Sequence, residues 1–312
     1  MTQITNINYM GWPDAVRLDN GTVEIVVIPS VARVIHFSLR GQPNVLRVDA
    51  NVAGQTQNPD LDTSGTYKEF GGGKLWVAPQ DHWNNRLGVW PPHFALDSGP
   101  CRVEKLPSGV VALHGQGDPK SGVQYARTVA LNGSSAELTI TMTNVSNRPV
   151  AWGIWSVACI SPESTVFLPR ENDAVTWAFV GKRRTPVQSA GWRQFGDTYV
   201  FENAPGIEPC KVFNNAAPSW VGAITRGQAF LITFDRTPPT CLPPGEASGE
   251  VYACRDFLEL EHVGPFEALL PGTRATLHER WHALPAPTAS TSQGVAEWMS
   301  AKAAEIQQPR RG

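Results

Sequence analysis

Residues 123–143 read Val-Gln-Tyr-Ala-Arg-Thr-Val-Ala-Leu-Asn-Gly-Ser-Ser-Ala-Glu-Leu-Thr-Ile-Thr-Met-Thr. Two runs that alternate apolar and polar residues, Val123–Leu131 and Ala136–Thr143, flank Asn132-Gly133. A period of two places the apolar residues on one sheet face, and Asn-Gly tolerates the left-handed backbone of a tight hairpin turn. The stretch is therefore expected to be an antiparallel hairpin with one buried face.

The pattern repeats on both sides of it. Thr22–Ile28, Arg33–Leu39, Val110–His114, Val150–Ile160, Ala229–Asp235, Glu250–His262 and Arg274–His282 are rich in β-branched or aromatic residues and read as strands. The 28 glycines and 26 prolines are too many for a helical protein. Together these features predict an all-β chain, built as a large antiparallel sandwich over residues 1–285. At 286–312 the pattern changes. A Pro/Ala/Ser/Thr linker (Leu284–Gln293) leads into Gly294–Gln308, where Val295, Trp298, Met299 and Ile306 recur at helical spacing. That stripe predicts a short amphipathic helix docked on the body.

The net charge of −2 gives no support for binding nucleic acid or a membrane surface. The cluster Lys182-Arg183-Arg184 reads as solvated loop charge. No apolar run is long enough to span a bilayer, and Met1-Thr2-Gln3-Ile4-Thr5-Asn6 lacks a secretory pattern, so a cytoplasmic location is expected. The five cysteines are odd in number and widely spaced, as expected for reduced thiols. They form no metal pattern, and no cofactor motif is visible.

Chemistry concentrates in two stretches. In Gly71–His93, Trp76, Trp83 and Trp90 stand among Lys74, Gln80, Asp81, His82, Asn84, Asn85, Arg86 and His93. Flat indoles beside amides, carboxylates and cations suit a sugar ring, which has apolar C–H faces and directional hydroxyls. Gly71–His93 is expected to be a loop that roofs a sugar site on one concave sheet face; the alternative is a rigid buried loop whose indoles fill space between the sheets. The second stretch is Phe257-Leu258-Glu259-Leu260-Glu261-His262. On a strand, Glu259 and Glu261 share one face, with Leu258, Leu260 and His262 on the other. A cleft over the carboxylates would lift one pKa and make a general acid or base; a solvated sheet face is the alternative.

Three segments together resemble galactose-mutarotase-like proteins, the group that includes the aldose 1-epimerases. One is Glu259-Leu-Glu-His-Val-Gly-Pro265, followed by Leu270-Pro271-Gly272-Thr273 and Glu279-Arg280-Trp281. Another is Leu138–Asn144 with Val-Ser-Asn147-Arg-Pro149-Val. The third, Gly71-Gly72-Gly73-Lys74-Leu75-Trp76-Val77-Ala78-Pro79, resembles a bacterial mutarotase-like group of uncharacterised function. The resemblance covers most of residues 20–285. It implies an antiparallel β-supersandwich, a mono- or oligosaccharide ligand, and Glu259 as the base that removes the anomeric hydroxyl proton. It requires no metal or organic cofactor.

One departure matters. Where aldose 1-epimerases place the histidine that protonates the ring oxygen, this chain reads Trp152-Gly-Ile-Trp155-Ser156-Val157, and no histidine lies between His114 and His262. His82, His93 or Lys74 is then the expected replacement acid. Trp76 and Trp83 would stack on the ring, with Lys74, Gln80, Asn84, Arg86, Arg170 and Glu261 holding substituents. Three functions remain open: sugar epimerisation, sugar binding or sensing without catalysis, and glycoside hydrolysis or lysis by Glu259 and Glu261.

Overall fold

The computed structural model describes residues 1–59, 67–83, 92–170, 175–179 (backbone only), 191–203, 207, 209–308 of the chain. Alternating strands build two stacked antiparallel sheets, as the opening hairpin predicts. That hairpin forms as Val123–Asn132 paired with Ser135–Asn144, register Leu131 to Ala136. Gly133 takes the turn at φ 55°.

Among the described residues the first sheet has 11 strands. Its centre runs, in spatial order, Arg33–Leu39, Gly73–Ala78, Val150–Ile160, Leu258–Val263, Gly249–Ala253 and Cys210–Asn214. The second sheet has 10, with Gln228–Phe234, Arg274–Pro285, Ser135–Asn144 and Val123–Asn132 at its middle. Side chains from both inner faces interlock between them. Val16, Phe37, Ala158, Leu258 and Leu260 of the first sheet meet Leu138, Val166, Phe230, Ile232 and Trp281 of the second. Phe37, Phe230 and Trp281 pack edge to face with centroids 5.5–6.1 Å apart, the preferred aromatic geometry.

Two expectations change. Glu250–His262 is two strands, Gly249–Ala253 and Leu258–Val263, paired in register Glu250 to Glu261 and Tyr252 to Glu259. The turn between them is closed by the Cys254 N–H donating to the Phe257 carbonyl at 3.1 Å. Gly71–His93 does not begin as a loop over the sheet: Gly73–Ala78 is a strand inside it, paired with Val150–Ile160.

The glycines of that segment are a steric requirement. Gly71 and Gly72 take φ of 77° and 70°, and a Cβ on them would overlap the Arg47 and Val34 carbonyls. A Cβ on Gly73 would lie 2.6 Å from Trp281 of the facing sheet.

The final strand runs on to Pro285, and the C-terminal helix spans Ser292–Gln307. Thr291 caps it, its hydroxyl accepting from the Gly294 N–H at 3.1 Å. Ala296, Met299 and Ala303 pack on Phe167, Trp220 and Leu231, on the outer face of the second sheet. Among the described residues no helix is long and apolar enough to cross a membrane.

Candidate functional site

Strand periodicity decides which side chains leave the core. In the first sheet Ala158, Leu258, Leu260, Val251 and Val212 point inward. Their neighbours along each strand therefore share the outer face: Lys74 and Trp76, Trp155, Glu259 and Glu261, Glu250 and Tyr252, Lys211 and Phe213. Gly73–Ala78 and Leu258–Val263 flank Val150–Ile160 on opposite sides, so the two chemistry-bearing stretches of the sequence meet across one strand.

A cavity of about 350 Å³ lies over this face. Its basic and acidic lining is Glu69, Lys74, Lys211, Glu259 and Glu261, and its aromatic lining is Tyr67, Trp76, Trp155, Tyr252 and Phe257, with Gln80 completing it. That volume is in the range of small-ligand sites.

Two lysines organise it in the same way. The Lys74 ammonium lies 2.8 Å from Glu69 Oε2 and 2.8 Å from Glu259 Oε1, and 4.2 Å over the Trp76 ring. Lys211 lies 2.6 Å from Glu250 Oε2 and 2.7 Å from Glu261 Oε2, and 4.2 Å over the Trp155 ring. Each ammonium thus bridges two carboxyl groups while its outer side rests on an indole. The Trp155 indole N–H donates to Glu261 Oε2 at 2.6 Å. The Trp76 indole N–H donates to Asp97 Oδ1 at 2.7 Å, and the buried Arg33 guanidinium holds the other Asp97 oxygen at 2.9 Å.

This packing separates the proton affinities. Burial pushes the Glu259 carboxyl up to about 7; Lys74 opposes the rise, and Glu261 and Glu69 add to it. Burial works against charge on Glu69 too, yet Lys74 and Arg33 outweigh it and bring that carboxyl down to about 2. Glu250 is pushed well above the usual carboxylate range by its burial, which Lys211 offsets only in part. Burial disfavours the charge of both lysines, but their paired carboxylates outweigh it and hold both ammoniums above the ordinary lysine value.

Of the residues expected from sequence, Lys74, Trp76, Gln80, Glu259 and Glu261 come together here. Trp76 is 4% exposed, with Lys74 over its ring and the rings of Trp83 and Trp155 against it at 5.6 and 5.2 Å. It offers little open face. Trp83 is buried behind it, donating to the Val77 carbonyl at 2.8 Å, and does not line the cavity. His82 is exposed against Trp152 and Phe266, with ring centroids 6.2 Å from each. His93 is buried with Nδ1 2.8 Å from Asp118 Oδ2. Neither imidazole lines the cavity. Arg170 follows the Thr165–Pro169 strand of the other sheet, its backbone N–H donating to the Asp197 carbonyl at 2.8 Å. Asn84, Arg86, Trp90 and Lys182-Arg183-Arg184 lie outside the described residues.

Tyr67, Glu69, Lys211, Glu250, Tyr252 and Phe257 were not singled out from the sequence. Only the Cys210–Asn214 and Gly249–Ala253 alternations carried a signal for them, placing Lys211 with Phe213 and Glu250 with Tyr252. Among the described residues no group of three or more His, Cys, Asp and Glu is placed to hold a metal ion.

Solved structures share this architecture. A galactose mutarotase-like protein from Lactobacillus casei ATCC 334 superposes with TM-score 0.61 at 10% identity, covering 86% of this chain and 99% of its own. A galactose mutarotase related enzyme from Lactobacillus acidophilus gives 0.56 at 8% identity, covering 94% and 99%. A galactose mutarotase-like protein from Clostridium acetobutylicum gives 0.51 at 9% identity, covering 91% and 98%. At such identities the likeness establishes the fold, which is galactose-mutarotase-like. No curated protein sequence matches the chain. A family model covers residues 14–284, and the chain belongs to that family, described as a domain of unknown function (DUF4380).

Proposed function

We propose that the cavity binds a single sugar ring and that Glu259 exchanges the proton of its anomeric hydroxyl, interconverting the anomers. The observation that carries this is the Glu259 carboxyl: buried, raised to about 7, and 2.8 Å from Lys74 in an aromatic-walled cavity. A base poised near neutrality takes a proton and returns it with little penalty either way. As Glu259 removes the anomeric proton, the C1–O5 bond breaks, a carbonyl forms at C1, and the ring oxygen takes a proton from the Lys74 ammonium; reclosure from the other face returns each proton to its source and gives the second anomer. Of the replacement acids considered from sequence, Lys74 is the one that lines the cavity. Its ammonium, 2.8 Å from Glu259, is the acid of this reading. The half-exposed Tyr252 and Phe257, with ring centroids 5.8 Å apart, supply the stacking surface that the enclosed Trp76 does not.

A second reading, sugar binding without turnover, is favoured by two observations: neither His82 nor His93 lines the cavity, and Lys74 holds its proton more tightly than an ordinary lysine. One experiment separates the two. Exchange NMR on a panel of hexoses and pentoses is expected to show wild-type acceleration of anomer exchange that Glu259→Gln lowers by about 10²-fold or more. Equal rates for both proteins on every sugar, with saturable binding retained, leave the binding reading; no binding by any sugar overturns both.

A further inference from the structure

Two tryptophans of the cavity wall are held in the same way. Trp155 carries Lys211 4.2 Å over its ring, while its indole N–H donates to Glu261 Oε2 at 2.6 Å. Trp76 carries Lys74 4.2 Å over its ring, while its N–H donates to Asp97 Oδ1 at 2.7 Å. The difference lies in the carboxylate. Glu261 lines the cavity, whereas Asp97 is fully buried away from the lining, at the end of the short Phe94–Asp97 helix. The buried Arg33 guanidinium fixes it there, holding Asp97 Oδ2 at 2.9 Å and donating also to the Asp97 backbone carbonyl.

Satisfying a buried indole does not call for a carboxylate. Backbone carbonyls accept from the indoles of Trp12, Trp83 and Trp152 at 2.8–3.0 Å. A buried carboxylate gives up its hydration, which is costly even with a cation beside it. What a charge adds at this point is polarisation. A negative group on the N–H pushes electron density into the ring and strengthens the attraction of its face for an ammonium, because polar contacts reinforce one another where the dielectric is low. The same bond fixes the ring plane, and with it the place where the ammonium rests. The Lys74 proton responds in this sense: burial works against its charge, Glu259 and Glu69 hold it, Arg33 opposes them, and Asp97 adds to the hold.

We infer that Asp97 is a positioning residue that acts through the Trp76 indole to seat the Lys74 ammonium against Glu259. The inference rests on the reading above, in which those two groups are the acid and the base. A loosened seat moves Lys74 from Glu259, which then loses the cation that holds its carboxyl down. Glu259 also meets Glu261 and Glu69, and the side chains of Tyr67, Tyr252, Cys159 and Cys254; burial keeps these last four protonated, so they do not titrate with it.

The test compares two variants that change no charge. Trp76→Phe keeps an aromatic face under Lys74 and removes the N–H that reaches Asp97. Trp83→Phe makes the same change in the indole packed 5.6 Å away, whose N–H goes to the neutral Val77 carbonyl. The Glu259 carboxyl is titrated by carbon-13 NMR, its resonance assigned by its loss in Glu259→Gln, and anomer exchange is followed in parallel. In Trp76→Phe the midpoint is expected to rise from about 7 by about 0.5–1 pH unit, which lowers exchange below neutrality by about three- to tenfold. In Trp83→Phe it stays near 7. A midpoint unmoved in Trp76→Phe, or moved equally in both, overturns the inference, since a role in packing alone makes the two variants alike. Asp97→Asn is measured in the wild type and in Trp76→Phe. Acting through the indole, it shifts the midpoint by clearly different amounts in the two; equal shifts show a charge felt through space and overturn the inference. If Asp97→Asn does not fold, the phenylalanine pair decides alone. Absence of anomer exchange in the wild type overturns the catalytic reading, while the carboxyl titration still decides whether Asp97 and Trp76 seat Lys74.

Discussion

Lys74 lies 2.8 Å from both Glu69 and Glu259 and lowers the proton affinity of each, yet the two carboxyls move in opposite senses. Both are buried, but Glu69 also has Arg33 and the Gly71 N–H beside it and falls to about 2, while Glu259 also faces Glu261 and Glu69 and rises to about 7. The sign for folding follows. From the ordinary value of 4.5 up to about 7, native Glu259 keeps a proton that the unfolded chain has lost, so this residue subtracts stability as pH rises through that window. Its basic form, the one the proposed anomer exchange needs, grows over the same range. Anomer exchange is therefore expected to rise with pH to a plateau, with its midpoint near 7. Lys74→Met removes the cation that opposes the rise and leaves two buried carboxyls uncompensated. The midpoint of the rate profile should then move above 7, and denaturant unfolding should show a loss of about 3–5 kcal/mol. An unmoved midpoint would detach Lys74 from Glu259. The sequence alone pointed to Glu259, Glu261 and Lys74, since strand parity puts the two carboxyls on one face. It gave no sign of Glu69, and of Lys211 only its alternation with Phe213; both acquire meaning only where strands far apart in the chain lie side by side.

At the scale of elements, alternation was legible wherever one face is wet or differently packed. Arg33–Leu39 and Val150–Ile160 have the boundaries expected from their β-branched and aromatic content. The two errors have separate causes. The turn in Glu250–His262 is made by Cys254-Arg255-Asp256-Phe257, which contains no glycine or proline to punctuate the run. Gly73–Ala78 is buried at every residue, so it carries no alternation, and its three leading glycines read as loop. Those glycines are where the element is vulnerable. Gly73→Ala places a methyl 2.6 Å from the Trp281 ring across the sandwich and shifts the strand that carries Lys74 and Trp76. The expected loss is about 1–3 kcal/mol in thermal or denaturant unfolding. Weaker ligand response at the Trp76 indole should accompany it. Wild-type stability in the variant would mean that Trp281 yields without cost.

For the whole molecule, the second sheet needs a cover that the first does not supply. Its outer face exposes Phe167, Val200, Trp220, Ala229 and Leu231, and the Ser292–Gln307 helix closes over them with Ala296, Met299 and Ala303. Ending the chain after Pro285 uncovers that patch while leaving the cavity on the opposite sheet intact. Size-exclusion chromatography is expected to show self-association or aggregation of the shortened protein, because a contiguous apolar patch of this kind seeks another surface. A monodisperse, unchanged monomer would show that the helix is dispensable.

What the sequence determined by itself is the architecture. Period-two patterning, an Asn-Gly turn and abundant glycine and proline demand antiparallel sheets, and a last apolar stripe at helical spacing demands a helix; these are local signals, each written within a dozen residues. Only the tertiary structure decided where the aromatic stretch lies. It put Lys74 and Trp76 in the sheet beside Glu259, closed Trp83 and His93 into the interior, and brought Lys211 and Glu250 in from separate strands. Contacts such as Lys74 with Glu259, and Lys211 with Glu261 50 residues on, depend on sheet order and register, which no local pattern encodes.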